Sequence, residues 1–261
     1  MSRELFVHFL PTLVEPHELR GGIAVMIDLL RASTTIVHAI AAGARSVVPC
    51  LTVEDARSAA ANLSPSEVVL GGERHGQLIE GFDLDNSPLR YTPEAVGGKT
   101  VVFTTTNGTR ALLRCAEADR VFVGAFSNLN AVVELLVGTD RPVHLVCAGT
   151  RGKITAEDVL CAGAMATAFV AATGIGRLKD DQTRIAMDYY DRHVEDQVIF
   201  RGALEESIGG RDLLELGFVW DIERAAEWDL IGMVPEFVAH DGRIVAAGDA
   251  LSGKEWLAPF R

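Results

Sequence analysis

The chain has 261 residues, 48% hydrophobic and 23% charged, a composition that fits a globular protein with a sizeable core and excludes a disordered one. Its formal net charge of −12 argues against nonspecific binding to nucleic acid or to an anionic membrane, so an anionic ligand would need a local arginine cluster. No segment reads as a leader or a membrane span. Four widely spaced cysteines, Cys50, Cys115, Cys147 and Cys161, read as reduced, buried thiols, so a cytoplasmic enzyme is expected.

In chain order, strand-like runs at 5–10 and 23–27 precede a helical segment at 34–42. A strand at 46–50 and a helix at 53–61 follow. A short strand at 67–70 then opens a long polar loop over 71–96. Further strands are expected at 101–104, 120–124 and 143–147, with helices at 109–116 and 129–137 between them. This alternation predicts an α/β fold, with largely parallel or mixed sheets covered by helices and two α/β lobes around one cleft.

Past residue 155 the character changes. An Ala-rich helix is expected over 156–173, with Glu157 and Asp158 in its first turn, where acids favour the helix dipole. A charged helical run spans 180–211, another helix 221–228, and two closing strands, 233–239 and 243–247, meet at an Asp241-Gly242 turn. No linker composition intervenes, so 1–261 reads as a single unit.

Three strand-to-helix corners share one chemistry. The first, Asp28-Leu29-Leu30-Arg31-Ala32-Ser33-Thr34-Thr35, follows the apolar run at 23–27. The second is Phe103-Thr104-Thr105-Thr106-Asn107-Gly108-Thr109-Arg110, and the third is Cys147-Ala148-Gly149-Thr150-Arg151-Gly152, running on to Glu157-Asp158. Strand carboxyl ends are where open α/β sheets bind ligands, and helix starts offer free N–H groups to anions. Asp28 suits a hard cation such as Mg²⁺, and Arg31 suits a forked grip on phosphate or carboxylate. At any one corner helix capping alone accounts for the hydroxyls. Three corners that each bring an arginine favour an anion site.

The long loop adds Gly71-Gly72-Glu73-Arg74-His75-Gly76. Glu73 could complete a metal shell, Arg74 could hold a second anion and His75 could protonate a leaving alkoxide. A solvated histidine and an exposed Glu73–Arg74 ion pair are the plainer readings. No phosphate-binding P-loop, Gly-x-Ser-x-Gly elbow or cysteine-phosphatase loop is present, and Leu30 stands where haloacid-dehalogenase-type hydrolases place a second aspartate.

The segment from Ile27 to Val37, together with Gly71-Gly72-Glu73-Arg74 and Gly81-Phe82-Asp83-Leu84-Asp85-Asn86-Ser87-Pro88, resembles the 2-phosphosulfolactate phosphatase family. So do Thr105-Thr106-Asn107-Gly108-Thr109-Arg110, Cys147-Ala148-Gly149 with Glu157-Asp158, and later pieces around Ser207-Ile208-Gly209-Gly210, Asp221-Ile222 and Val234-Pro235. Asp85 departs from the glycine more common at that place. The resemblance implies Mg²⁺-dependent hydrolysis of 2-phospho-3-sulfolactate to 3-sulfolactate and phosphate, on the route to coenzyme M. It implies a metal shell of Asp28, Glu73 and Asp158, with Glu157 able to replace Asp158. Arg31, Arg74 and Arg110 would meet the substrate's three anions, with Ser33, Thr34, Thr106, Asn107 and Thr109 donating to phosphate or sulfonate. Asp28 could hold the metal or take the phosphate itself. Other small phosphorylated hydroxy acids, and non-catalytic binding of such metabolites, remain alternatives. The expected partner is a small anionic substrate, with no nucleic acid or membrane, and isolated apolar patches could serve a homodimer.

Overall fold

The apolar run Ile23–Ile27 forms strand β2 and is buried at every position, because a parallel strand lies on either side and helices cover both faces. Its neighbours are β7 (Arg120–Val123) and β8 (Val143–Cys147), and β1 (Leu5–His8) adds to β8, also in parallel. The structure, a computed structural model, describes residues 3–248, so the unit expected over 1–261 extends beyond the described residues at both ends.

A second parallel block contains β3 (Ser46–Cys50), β6 (Thr100–Thr104) and β4 (Val68–Arg74). The closing hairpin joins the blocks: β9 (Pro235–Val238) pairs antiparallel with β7, and β10 (Arg243–Ala246) pairs antiparallel with both β9 and β3. With the short β5 (Gln77–Leu78) on β4, the sheet has ten strands in the order β1-β8-β2-β7-β9-β10-β3-β6-β4-β5. Three successive antiparallel pairings reverse the second block's direction relative to the first. The fold is thus α/β with a largely parallel, mixed sheet, in two blocks of opposed polarity.

Helices cover this sheet: α1 (Ala32–Ala41), α2 (Val53–Ala61), α3 (Pro93–Val96), α4 (Gly108–Arg114) and α5 (Leu129–Val137). The long α6 (Ala156–Thr173) is apolar and long enough to cross a membrane by length and composition, yet 61% of it is buried against neighbours that include β8 and α5. It is the core helix of the first block.

Two expectations need correction. The stretch 71–96 is not one loop, since β4 continues to Arg74, turns into β5 and is followed by α3. The glycines that suggested a loop are what let β4 approach β6: Gly72 pairs opposite Thr104 at a φ of 127°, and a Cβ there would strike the Thr104 carbonyl oxygen. The run 180–211 is three helices, α7 (Asp181–His193), α8 (Gln197–Glu205) and α9 (Ile208–Glu215). Asp180, Asp196 and Ser207 each accept backbone N–H groups at a new helix start, and these caps divide the run. The last helix, α10 (Val219–Ala225), starts and ends slightly earlier than expected.

Candidate active site

A cavity of about 280 Å³ opens where the chain leaves β2, β4, β6 and β8, and α9 closes its far side. Asp28, Arg31, Glu73, His75, Thr106 and Asn107 all line it, so segments far apart in sequence converge there. Its volume lies just below the roughly 300–1,000 Å³ of drug-sized pockets, which suits a small metabolite.

The β2–α1 corner is held by its own hydroxyls. Ser33 Oγ accepts the Asp28 N–H at 3.3 Å, and Thr34 Oγ1 donates to the Leu29 carbonyl at 2.8 Å. Both side chains are fully buried, and neither lines the cavity. Their hydrogen bonds aim Asp28 into the cleft.

Arg31 is buried among fixed partners. Its Nη1 donates to Asp221 Oδ2 at 2.6 Å, its Nη2 donates to the Gly76 carbonyl at 2.8 Å, and its guanidinium stacks on Phe218. Asp221 in turn accepts the Ser87 hydroxyl at 2.6 Å. The arginine therefore meets the cleft as a preset donor whose charge is already balanced.

Glu73 ties the second block to itself. Its Oε1 accepts the Thr106 N–H at 2.7 Å and its Oε2 accepts the Gly76 N–H at 2.8 Å. Arg74 points away from the cavity and donates to the Glu73 and Leu51 carbonyls and to Thr104 Oγ1. Arg110 lies exposed on α4, and the Thr109 hydroxyl contacts Thr105 Oγ1 at 3.3 Å; neither residue lines the cavity. Asn107 Oδ1 accepts the Arg151 N–H at 3.2 Å, linking the second corner to the third.

Asp158 is the keystone of the β8–α6 corner. Its Oδ1 accepts the Leu29 N–H at 2.8 Å and its Oδ2 the Gly149 N–H at 2.9 Å, which joins the ends of β2 and β8. It lies behind the cavity wall. Glu157, beside it, is buried, and its Oε2 lacks a partner among the described residues.

These acids raise one another's proton affinity. Burial pushes the Asp28 carboxyl well up, and the charges of Asp158 and Glu73 push it further, while the Ala32 N–H opposes them. Burial likewise pushes Glu157 and Asp158 up, opposed at Asp158 by backbone N–H groups including those of Leu29 and Gly149. Among the described residues no lysine or arginine forms an ion pair with Asp28, Glu73, Glu157 or Asp158, and Arg31 is balanced by Asp221. Among the described residues no three or more His, Cys, Asp or Glu side chains converge as a ready metal cage. Asp28 and Glu73 nevertheless supply hard carboxylate oxygens at the cavity wall. Mg²⁺ is commonly bound by one or two carboxylates, with water and substrate phosphate completing its shell, and this donor set fits it.

Three cleft features involve residues to which the sequence assigned no role in the site, although Asn86, Asp221 and Arg151 stand within its motif segments. Asp221 is one; its partner Arg31 lies 190 residues away, and nothing in local spacing signals the pair. Asn86 lines the cavity with its Oδ1 buried and unpartnered among the described residues. Arg151 and Asp212 form an ion pair on the rim at 2.9 Å. The three-corner pattern contained Arg151 but gave no reason to prefer it to Arg74 or Arg110.

Comparison with known proteins bears directly on this cleft. The family model described as 2-phosphosulpholactate phosphatase matches residues 8–240. A protein of Symbiobacterium thermophilum named "Probable 2-phosphosulfolactate phosphatase" is 39% identical over 228 residues, covering 87% of this chain and 95% of its own. Proteins of the same name from Clostridium beijerinckii and Caldicellulosiruptor saccharolyticus are 38% and 41% identical, over 87% and 84% of this chain and 92% and 90% of theirs.

Proposed function

Since the chain belongs to the 2-phosphosulfolactate phosphatase family, and so is a phosphoric monoester hydrolase, we propose that it releases phosphate from 2-phospho-3-sulfolactate with the help of Mg²⁺. The observation that carries this reading is the pair of buried carboxylates, Asp28 and Glu73, which face one small cavity and have no ion-pair partner among the described residues. Asp28 and Glu73 would hold the ion. Bound there, Mg²⁺ would supply positive charge to the phosphoryl oxygens and lower the pKa of a coordinated water. Asp158 would act behind them, fixing the ends of β2 and β8 rather than facing the ligand.

The remaining steps belong to the chain's own side chains. Arg31, locked by Asp221 and Phe218, presents its remaining N–H groups to a phosphoryl or carboxylate oxygen without having to reorganise. Asn86, whose buried Oδ1 lacks a partner among the described residues, would contact the ligand beside it. His75 is the one histidine lining the cavity among the described residues, and it would donate a proton to the leaving alkoxide. A loose phosphoryl transition state needs positioning and charge more than covalent chemistry, which is what these groups offer.

The four cysteines are free and buried, which supports a reducing, cytoplasmic setting, and the substrate's sulfonate points to a role on the route to coenzyme M. The test is phosphate release from 2-phospho-3-sulfolactate, 2-phospholactate and phosphoglycolate, with Mg²⁺ and after chelation. Release that chelation stops and added Mg²⁺ restores supports the proposal. Release that is indifferent to chelation refutes the metal, and release from no compound refutes the activity.

A further inference from the structure

We propose that Arg151 selects the substrate by binding its distal sulfonate, and that Asp212 holds this arginine until the sulfonate displaces it; the inference rests on the phosphatase reading above. Among the described residues only two cationic side chains line the cavity, Arg31 and Arg151. Four carboxylates line it as well: Asp28, Glu73, Asp212 and Glu215. A ligand carrying phosphate, carboxylate and sulfonate therefore needs every available cation.

The two arginines differ in freedom. The side chain of Arg31 is 2% exposed, and its partner Asp221 is 3% exposed, so that pair is fixed. Arg151 is 61% exposed and Asp212 is 40% exposed, with Nη1 and Oδ2 2.9 Å apart. An ion pair that exposed is worth little, and a competing acid can replace one partner at low cost. The Arg151 backbone, by contrast, is anchored. Its N–H bonds to Asn107, its φ is 55°, and the flanking Thr150 and Lys153 exchange both backbone hydrogen bonds at 3.0 Å. The guanidinium thus swings from a fixed base over the mouth of the cleft.

The exchange is balanced in charge. A sulfonate replaces the Asp212 carboxylate on Arg151, and Asp212, on the solvent-facing side of α9, turns to water. The acid that leaves is hydrated, and the acid that arrives gains a guanidinium already positioned. An alcohol or methyl group at that end of the ligand has nothing to offer in exchange. The arrangement therefore favours a sulfonate over an uncharged substituent.

The experiment compares kcat/KM for 2-phospho-3-sulfolactate with that for 2-phospholactate, which lacks the sulfonate, in the full chain with Mg²⁺. The wild type is expected to prefer the sulfonated compound. Arg151→Met should cut that preference at least about tenfold through KM, and Arg151→Lys should restore part of it. Asp212→Asn should lower KM for the sulfonated compound by about two- to fivefold, the size of an exposed ion pair. Equal use of both compounds by the wild type, an unchanged preference in Arg151→Met, or a raised KM in Asp212→Asn overturns the inference and leaves the phosphatase reading intact. Phosphate release from neither compound by the wild type overturns both.

Discussion

The floor and the rim of the cleft follow opposite rules. On the floor each charged group is buried and fixed: Arg31 by Asp221, Gly76 and Phe218, Glu73 by two backbone N–H groups, Asp158 by two more. On the rim, Arg151 and Asp212 meet in the open, and His75 sits exposed at a φ of 56°. Fixed dipoles stabilise a developing charge without reorganising, whereas a group that must admit and release a ligand needs a weak resting contact. On the proposed reading, the metal and phosphoryl contacts belong to the rigid wall, while substrate selection and the proton donor His75 belong to the adjustable one.

The largest effect should come from unpairing the floor. Asp221→Ala leaves a buried guanidinium without its carboxylate and the Ser87 hydroxyl without an acceptor, which should cost about 3–5 kcal/mol of stability. A denaturant melt checks this, and a loss below about 1 kcal/mol would show that the pair is solvated. Arg151→Met, at the rim, should move the melt hardly at all. That contrast separates the two walls without an activity assay.

Asp28→Asn tests the floor from the other side. It should lower kcat by about 10²–10³, roughly 3–4 kcal/mol of transition-state stabilisation. Without Mg²⁺, however, the same change should raise stability, because it removes a charge that burial and three neighbouring acids all disfavour. A melt in chelator that shows the variant less stable than the wild type would contradict this account. Acid-quench trapping of labelled phosphate on the wild-type protein asks whether Asp28 is itself phosphorylated.

Much of this was legible in the sequence, for a physical reason. The strand Ile23–Ile27 and the corner after it are local features, and a five-residue apolar run ending in an acid places Asp28 at a strand end with no tertiary information. Glu73 could be picked out the same way, although its strand was read as a loop because glycines suggest turns more strongly than they suggest close strand approach. What could not be read was the direction of each arginine. Arg31, Arg74, Arg110 and Arg151 look alike in sequence, and only the fold shows that Arg74 is bound to Leu51 and Thr104 while Arg151 faces the cleft. Long-range pairs such as Arg31–Asp221 depend on how the two blocks meet, which no local spacing records.

Burial follows the floor's rule at the edge of the sheet as well. His8 Nε2 and His144 Nδ1 share a hydrogen bond of 3.0 Å, their rings stack, and His8 Nδ1 has no partner among the described residues. Burial pulls His144 down to about 4, helped by the nearby His8, and burial also lowers His8 against the pull of Asp180 and Glu18. The unfolded chain therefore binds more protons than the folded one between the ordinary histidine pKa of about 6.5 and about 4. The stability from this pair is complete above pH 6.5 and is lost as pH falls towards 4, up to about 3 kcal/mol for His144. Melts of the wild type and His144→Phe across that range should converge at low pH; parallel curves would refute the assignment.

A smaller effect on turnover than that of Asp28→Asn should come from His75, on the rim. His75→Gln should lower kcat by about a hundredfold, or ~2.7 kcal/mol, if its proton reaches the leaving alkoxide. Because the side chain is exposed, the melt should not shift. A leaving group that needs no proton sharpens the point: with an aryl phosphate such as 4-nitrophenyl phosphate the His75→Gln penalty should vanish, while the Asp28→Asn penalty persists. Equal penalties on both leaving groups would make His75 a binding residue like Arg151, and the proton would then have to come from the floor.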